Sequence, residues 1–375
     1  MPASVVASAG STPAARVTIV LPTFNERQNI QPILQQLLAL RDRFQLEVIV
    51  VDDDSADGTA DFVKELAHGE PCLRLIRRVG RSGLSSAIKE GLLDSTGDLA
   101  VVMDCDGQHE PAAVAAALEL LLARNVDLVI GSRFHPEASI KGLSDKREGG
   151  SVLANRLARF TLPRYRHLSD FMSGFFALRL DRCLPMIRQV DSQGFKFLYE
   201  LLSISRGHLF VEETPLTFQP RTFGSSKLDI SVLWDFGVSI IHTLLLRMVP
   251  RRAVSFALVG VSGIGVQLLV SNLLILLGFS FVASLPPAVI ASACSNYLVN
   301  NTLTFRHLRL KGFPLFAGLV KFLVVASLPM LANIGLASVF YTRVASDTLF
   351  AQIAGIAVVF VWNYAASSRF VWNTP

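Results

Sequence analysis

The sequence predicts an α/β domain on a mostly parallel sheet, followed by an all-α domain of four membrane-spanning helices. Three observations carry this. Up to about Lys227, short β-branched runs alternate with segments of helical period, the pattern of a parallel sheet covered by helices. Acidic residues gather directly after two of the strand-like runs, at Asp52 and Asp104, where parallel strands open onto a ligand crevice. Beyond Arg252 the chain becomes long apolar stretches with few charges.

Taken in order, Met1 to Ala15 is rich in Ala, Ser and Pro and lacks both a basic and an apolar segment. It is expected to be a disordered lead-in rather than a signal peptide. The first domain then runs over residues 16–228. Strands are predicted at Arg16 to Pro22, Leu46 to Val51, Leu73 to Arg77, Leu99 to Met103 and Leu128 to Ile130, with a helix over Asn29 to Leu40. Cys72, Cys105, Cys183 and Cys294 form no CxxC pair, so neither a zinc site nor a disulfide scaffold is expected.

The second domain is expected over residues 253–375, with spans at about 254–277, 282–305, 316–340 and 349–372. Each exceeds the ~20 residues needed to cross a bilayer core. Composition agrees: 51% of residues are hydrophobic and only 17% charged, against about 25% charged in an ordinary soluble domain. Arg247, Arg251 and Arg252 precede the first span, and Arg306, Arg309 and Lys311 follow the second. The positive-inside rule therefore puts the first domain and both termini in the cytoplasm of a multi-pass protein. The net charge of +5 fits a partner membrane with anionic headgroups better than nucleic acid. Nothing in the sequence fixes an oligomeric state.

Two segments have an interfacial character. Residues 147–166 set Arg147, Arg156, Arg159, Arg164 and Arg166 among Leu153, Leu157 and Phe160, and residues 229–252 are apolar with a basic end. Both can lie in the headgroup plane or pack as ordinary amphipathic helices on the sheet. An internal repeat also emerges: NYLVNNTLTF from Asn296 resembles NYAASSRFVW from Asn363, and Phe256 and Phe322 open similar stretches. Its Asn residues suit either a lipid pathway or hydrogen bonds between helices.

The chemistry concentrates at strand ends. Asp104 and Asp106, followed by Gln108, offer two carboxylates and an amide oxygen, donors for a hard divalent cation against a diphosphate. Upstream, Asp52 to Thr59 follows a buried strand. Within it Asp53 is the candidate for contact with a nucleobase or ribose, and Asp57 reads as a helix cap. The first strand ends in PTFNE without GxGxxG, and the basic segment Arg77 to Leu84 lacks a P-loop ending. Dinucleotide-binding and NTPase readings are thereby weakened.

Together these segments resemble nucleotide-sugar transferases of GT-A fold: PTFNE from Pro22, VDDDSADGT from Val51, GLSSA from Gly83, MDCDGQ from Met103 and GSRF from Gly131. SDFMSGFFAL from Ser169, GFKFLYELL from Gly194 and RTFGSSKL from Arg221 narrow the resemblance to dolichol-phosphate (polyprenyl-phosphate) mannose synthases. The membrane half resembles the GtrA-like domain fused to some of them. Phe24, Ser85 and Phe171 stand where that family commonly carries Tyr, Gly and Pro.

The resemblance implies roles. Pro22, Phe24, Glu26, Val51 and Asp53 would line the nucleoside pocket. Asp104, Asp106 and Gln108 would hold Mg²⁺ or Mn²⁺, with Cys105 beside the donor. Arg221 and Lys227 would close over the donor phosphates, while Ser132, Arg133 and Arg147 would bind the lipid phosphate. The implied reaction passes mannose from GDP-mannose to a polyprenyl phosphate with inversion. A UDP-glucose or other UDP-hexose transferase is the alternative within this chemistry. A lipid-translocating membrane protein with a degenerate transferase domain is the alternative outside it. A processive polysaccharide synthase is disfavoured, because no QxxRW motif is present.

Overall fold

The computed structural model describes residues 15–140, 145–191, 196–219, 230–327 and 348–373. The chain divides into two compact units, Met1–Ile240 and Ile241–Pro375.

The first unit is organised by strands β1 (Arg16–Thr23), β2 (Gln45–Asp52), β3 (Leu73–Arg77), β4 (Leu99–Val102), β5 (Leu128–Ser132), β7 (Phe176–Arg179) and β8 (Val211–Pro215). They form one sheet in the order β3-β2-β1-β4-β7-β5-β8. β1 pairs in parallel with both β2 and β4, and β5 with β8. β7 runs antiparallel between β4 and β5, a strand the sequence reading did not anticipate. A short parallel pair, β6 (Ser139–Ile140) and β9 (Thr217–Phe218), stands apart.

Alternation along the strands sorts the core into two layers, because successive side chains leave opposite faces of a sheet. Val17, Ile19, Leu21, Val48 and Val50 pack on one face against α1 (Arg27–Leu38), α2 (Thr59–Ala67) and α4 (Ala113–Ala123). Val20, Ile49, Val51, Ala100 and Val102 pack on the other, beneath α3 (Leu84–Leu93), α5 (Asp145–Thr161), α6 (Leu180–Gln189) and α7 (Phe197–Ser205). α3 comes close to the sheet at Gly91: a Cβ there would lie 2.4 Å from Val20 Cγ1 and 3.0 Å from Val51 Cγ2. With both faces covered, the strands read as continuous apolar runs, and their C-terminal ends carry the polar residues.

The segment predicted as interfacial over 147–166 is α5 followed by a turn at Pro163–Tyr165, and α8 (Ile230–Leu244) occupies part of the predicted 229–252 segment. In the second unit, α9 (Arg251–Leu276) and the helix Phe281–Thr304, of mean hydropathy 2.1 and 1.3, are the two described helices long and apolar enough to cross a membrane. The latter is α10 (Phe281–Val299) continued as a π-turn over Asn300–Thr304. α11 (Phe313–Ser327) is apolar but shorter, and α12 (Thr348–Phe370) closes the chain. The remainder of the predicted third span, from residue 328 to 340, lies outside the described residues.

The internal repeat is visible in the packing. Phe305 and Trp372, equivalent under the repeat, stack on each other at 4.1 Å and 10°. Phe256 meets Tyr364, and Phe322 meets Tyr297, each pair at 5.7 Å. Asn301 bridges helices through its Oδ1, which accepts from Trp372 Nε1 at 3.1 Å and Leu310 N at 2.9 Å. The oxygens of Asn296 and Asn363 have no hydrogen-bond partner.

Candidate active site

Two loops at the ends of β1 and β2 are stitched together by side-chain bonds to the backbone. Asp52 is the buried hub: Thr23 Oγ1 and Ser55 Oγ donate to its Oδ2 at 2.9 and 2.6 Å, and Ser55 N donates to its Oδ1 at 2.9 Å. Asn25 N donates to Ser55 Oγ and Ala56 N to Asn25 Oδ1. Asn25 and Asp54 adopt φ of 59° and 54°, left-handed conformations that Asn and Asp tolerate better than most residues. Asp57 accepts from Thr59 N and from Arg27 N, both at 3.0 Å, so it joins two helix starts from just outside them, the N-cap positions themselves being Gly58 and Glu26.

Asp53 turns out to be a latch. Its Oδ2 accepts from Gly83 N at 2.7 Å, and its Oδ1 lies 2.8 Å from Arg78 Nη1. The side chain is only 9% exposed, and burial raises its pKa despite the Gly83 bond and the Arg78 charge. Arg78, 2% exposed, also reaches Glu90 at 3.3 Å and the Gly83 carbonyl. This carboxylate and guanidinium tie the end of β2 to the loop before α3. Sequence reading noted the basic loop but missed the burial of Arg78, which nothing in its local sequence signals.

Among the remaining nucleoside-side residues, Phe24 is 45% exposed, while Val51 is fully buried in the core. Pro22 is a buried part of β1. Glu26 accepts from Asn29 Nδ2 at 2.7 Å. Cys105 also departs from expectation: its thiol packs among Met103, Val114 and Phe175 in the core, and burial raises its pKa well above the ordinary value. The Val51 side chain and the Cys105 thiol are therefore core groups.

At the end of β4 the acidic pair is held in place from behind. A Cβ on Gly174 would fall 2.0 Å from Asp104 Oδ2, so only glycine leaves room for that carboxylate. Asp106, 8% exposed, accepts from Gln108 N at 3.1 Å. Asp104 N donates to Nδ1 of buried His109 at 3.3 Å. Burial pushes the His109 pKa down to about 4, so the ring is neutral near pH 7 and carries its proton on Nε2. Gln108 Nε2 donates to the Gln219 carbonyl at 3.3 Å, tying this loop to the end of β9. Among the described residues no three His, Cys, Asp or Glu side chains form a metal cage. Two carboxylates beside an amide oxygen fit instead an open site of the Mg²⁺ type, completed by substrate phosphates.

The opposite wall is cationic. Arg133, just after β5, grips Asp170 in a fork, with Nε to Oδ2 at 2.7 Å and Nη2 to Oδ1 at 3.0 Å. Asp170 is fully buried and Arg133 15% exposed. Burial would raise the Asp170 pKa, but Arg133 and the hydrogen bonds outweigh it and hold it below its ordinary value. Glu213 on β8 fixes the strip, accepting from Ser169 N at 2.8 Å and Asp170 N at 2.9 Å. Ser132 is buried, sharing a 2.5 Å bond with Ser169 Oγ and accepting from Phe134 N.

Lys196 is a site residue that sequence reading did not single out. Its ammonium donates to the Met172 carbonyl at 3.4 Å. Burial, then the charge of Arg133, lower its pKa to about 8, partly offset by Asp104 and Asp170. The only sequence signal was its place inside GFKFLYELL. Arg147 lies on α5, but its side chain is outside the described residues, as are Arg221 and Lys227 entirely.

Residues 18–182 match the family described as Glycosyl transferase family 2, and residues 255–372 match the GtrA/DPMS transmembrane domain. A dolichol-phosphate mannosyltransferase of Pyrococcus furiosus is 32% identical over 96% of this chain and 100% of its own length. The chain belongs to the dolichol-phosphate mannosyltransferase family. Another relative is the dolichol-phosphate mannosyltransferase of Saccharomyces cerevisiae, 36% identical over 58% of this chain and 83% of its own. The polyprenol monophosphomannose synthase of Mycolicibacterium smegmatis is 33% identical over 58% and 82%. Among solved structures, glucosyl-3-phosphoglycerate synthase from Mycobacterium tuberculosis superposes with a TM-score of 0.47 at 22% identity, covering 62% of this chain and 80% of that one. The likeness to family members thus extends through the membrane unit, making this a membrane glycosyltransferase.

Proposed function

We propose that this protein transfers mannose from GDP-mannose to a polyprenyl phosphate, dolichyl or undecaprenyl, with inversion at the anomeric carbon. The observation that carries this reading is collinearity: a mannosyltransferase relative matches 96% of the chain, across both modules. The crevice chemistry supports it, with carboxylates on one wall and Arg133 and Lys196 on the other.

The acceptor phosphate is already anionic near pH 7, so no strong general base is needed. One of its oxygens forms the new bond to the anomeric carbon as the bond to the nucleotide diphosphate breaks, and no proton changes hands. What remains for the protein is alignment and charge stabilisation. Asp104, Asp106 and the Gln108 amide would hold Mg²⁺ or Mn²⁺. The ion would supply neutralisation of the departing diphosphate. Arg133 and Arg147 orient the acceptor, and a guanidinium fork suits a phosphate oxyanion. Arg221 and Lys227 close over the donor phosphates. Pro22, Phe24, Glu26, Val51 and Asp53 shape the nucleoside end, the last through the Arg78 latch. The basic segments around the membrane helices support a site and termini on the cytoplasmic side.

The test offers the purified full chain GDP-mannose and UDP-glucose in parallel with polyprenyl phosphate, and reads the lipid product by mass. Preference for UDP-glucose would replace the donor assignment. Asp106→Ala is expected to abolish transfer while leaving the thermal melt in detergent unchanged, and near-normal turnover would overturn the metal assignment.

A further inference from the structure

The acidic loop after β4 is held by a residue distant in sequence. Gln219, directly after β9, donates its N to the Gln108 carbonyl at 3.0 Å. Its own carbonyl accepts from Gln108 Nε2 at 3.3 Å, and its Nε2 donates to Glu110 Oε1 at 2.7 Å. We propose that Gln219 and Glu110 are positioning residues for the divalent cation, acting by fixing which end of the Gln108 amide faces it. The inference rests on the metal reading above and adds two residues outside its donor set.

A glutamine amide has nearly the same shape either way round, with an oxygen that accepts and a nitrogen that donates. A hard cation is served by the oxygen alone. An amide free to turn over would present N–H groups to the ion part of the time. Here a carbonyl is the partner, and only the nitrogen can donate to it, so the hydrogen bond itself assigns the orientation. With Nε2 committed to Gln219, Oε1 is the end left for the ion.

The Gln219 carbonyl can set that orientation only if it is itself fixed, and it is braced from two sides. Toward the acidic loop, the bond to Glu110 is charge-assisted, which makes it stronger than a neutral one. Glu110 is anchored in turn, its carbonyl accepting from Ala113 N at 3.0 Å at the start of α4. Toward the rest of the sheet, β9 pairs with β6, and Leu216 N donates to the Ser132 carbonyl at 3.0 Å. The run from β8 to Gln219 therefore meets both walls of the crevice. Glu213 holds Ser169 and Asp170 beside Arg133, and Gln219 holds the acidic loop. Groups that orient a metal ligand from behind are worth about 10–100-fold in metal affinity.

The test titrates Mn²⁺ into the full chain in detergent with GDP present, reads free Mn²⁺ by electron paramagnetic resonance, and follows the Mn²⁺ dependence of transfer. Gln219→Met keeps the side-chain length and both backbone bonds but cannot donate to Glu110. It is expected to weaken Mn²⁺ binding by about tenfold or more and to raise half-saturating Mn²⁺ by the same factor. At saturating Mn²⁺, kcat should hold. The metal-free melting temperature should stay unchanged too, since both side chains are only half-buried. The double exchange Glu110→Gln with Gln219→Glu swaps donor and acceptor at constant net charge and is expected to recover most of the lost affinity. Equal Mn²⁺ binding by the wild type and Gln219→Met would overturn the positioning role. A loss that the double exchange fails to recover would overturn the Glu110 link. Absence of Mn²⁺ binding by the wild type, with GDP or with UDP, would instead overturn the metal reading beneath it.

Discussion

Replacing Asp170 by Asn removes the carboxylate that grips Arg133 inside the crevice wall. The pair is bidentate, at 2.7 and 3.0 Å, and nearly closed to solvent, with Asp170 at 0% and Arg133 at 15% exposure. An exposed pair of this kind contributes at most about 1 kcal/mol. Stranding one buried charge costs about 3–5 kcal/mol. Asn keeps one oxygen for the Met172 N–H, which now bonds Asp170 Oδ1 at 3.0 Å, so the low end, about 3 kcal/mol, is expected. For a domain of this size each kcal/mol moves the melting temperature by about 2–4 °C, predicting a fall of about 6–12 °C. The assay is thermal unfolding of the full chain in detergent followed by circular dichroism, paired with the acceptor KM, which should rise as Arg133 loses its fixed orientation. Adding Arg133→Met should recover part of the stability, because the stranded charge disappears, but none of the activity. A melting temperature within about 2 °C of wild type for Asp170→Asn, with unchanged acceptor KM, would refute the reasoning.

Two further outcomes follow from the geometry. Lys196 is held at a pKa of about 8, so its positive charge is present below that pH and lost above it. Acceptor kcat/KM should decline as pH rises through about 8; Lys196→Met should lower the rate and flatten that limb, whereas Lys196→Arg should keep the rate and remove the limb. Gly174→Ala places a methyl where Asp104 Oδ2 now lies, 2.0 Å away. Displacing that carboxylate by about 1 Å should cost about 10²-fold in kcat, with the chain still folded by circular dichroism.

Much of the site was legible because its chemistry is local. Asp104, Asp106, Asp52 and Arg133 each follow an apolar run, and a strand end is where such residues must emerge when both sheet faces are buried. The strands themselves were recoverable for the same reason, since a buried β-branched run has few alternatives. β7 was not, because a four-residue strand preceded by a polar loop carries no periodicity of its own. Its antiparallel place between β4 and β5 depends on partners distant in sequence.

What each polar residue does also depended on distant partners. The sequence marks Asp53, Ser132 and Cys105 as site residues by position alone. The structure makes Asp53 a latch on Arg78 and Gly83 and Ser132 a prop for Ser169, and it turns the Cys105 thiol into core. Lys196 shows the converse: nothing local distinguishes it, and only burial beside Arg133, Asp104 and Asp170 brings it to the site. In the membrane unit the repeat was readable as text, but the stacking of its equivalent members Phe305 and Trp372 at 4.1 Å is a tertiary fact. Residue type and order therefore determined the two-module architecture, the acidic crevice and the family. The contacts between segments far apart in sequence decided which side chains are buried and which stay open, because burial and hydrogen-bond satisfaction are set by neighbours that the local sequence does not name.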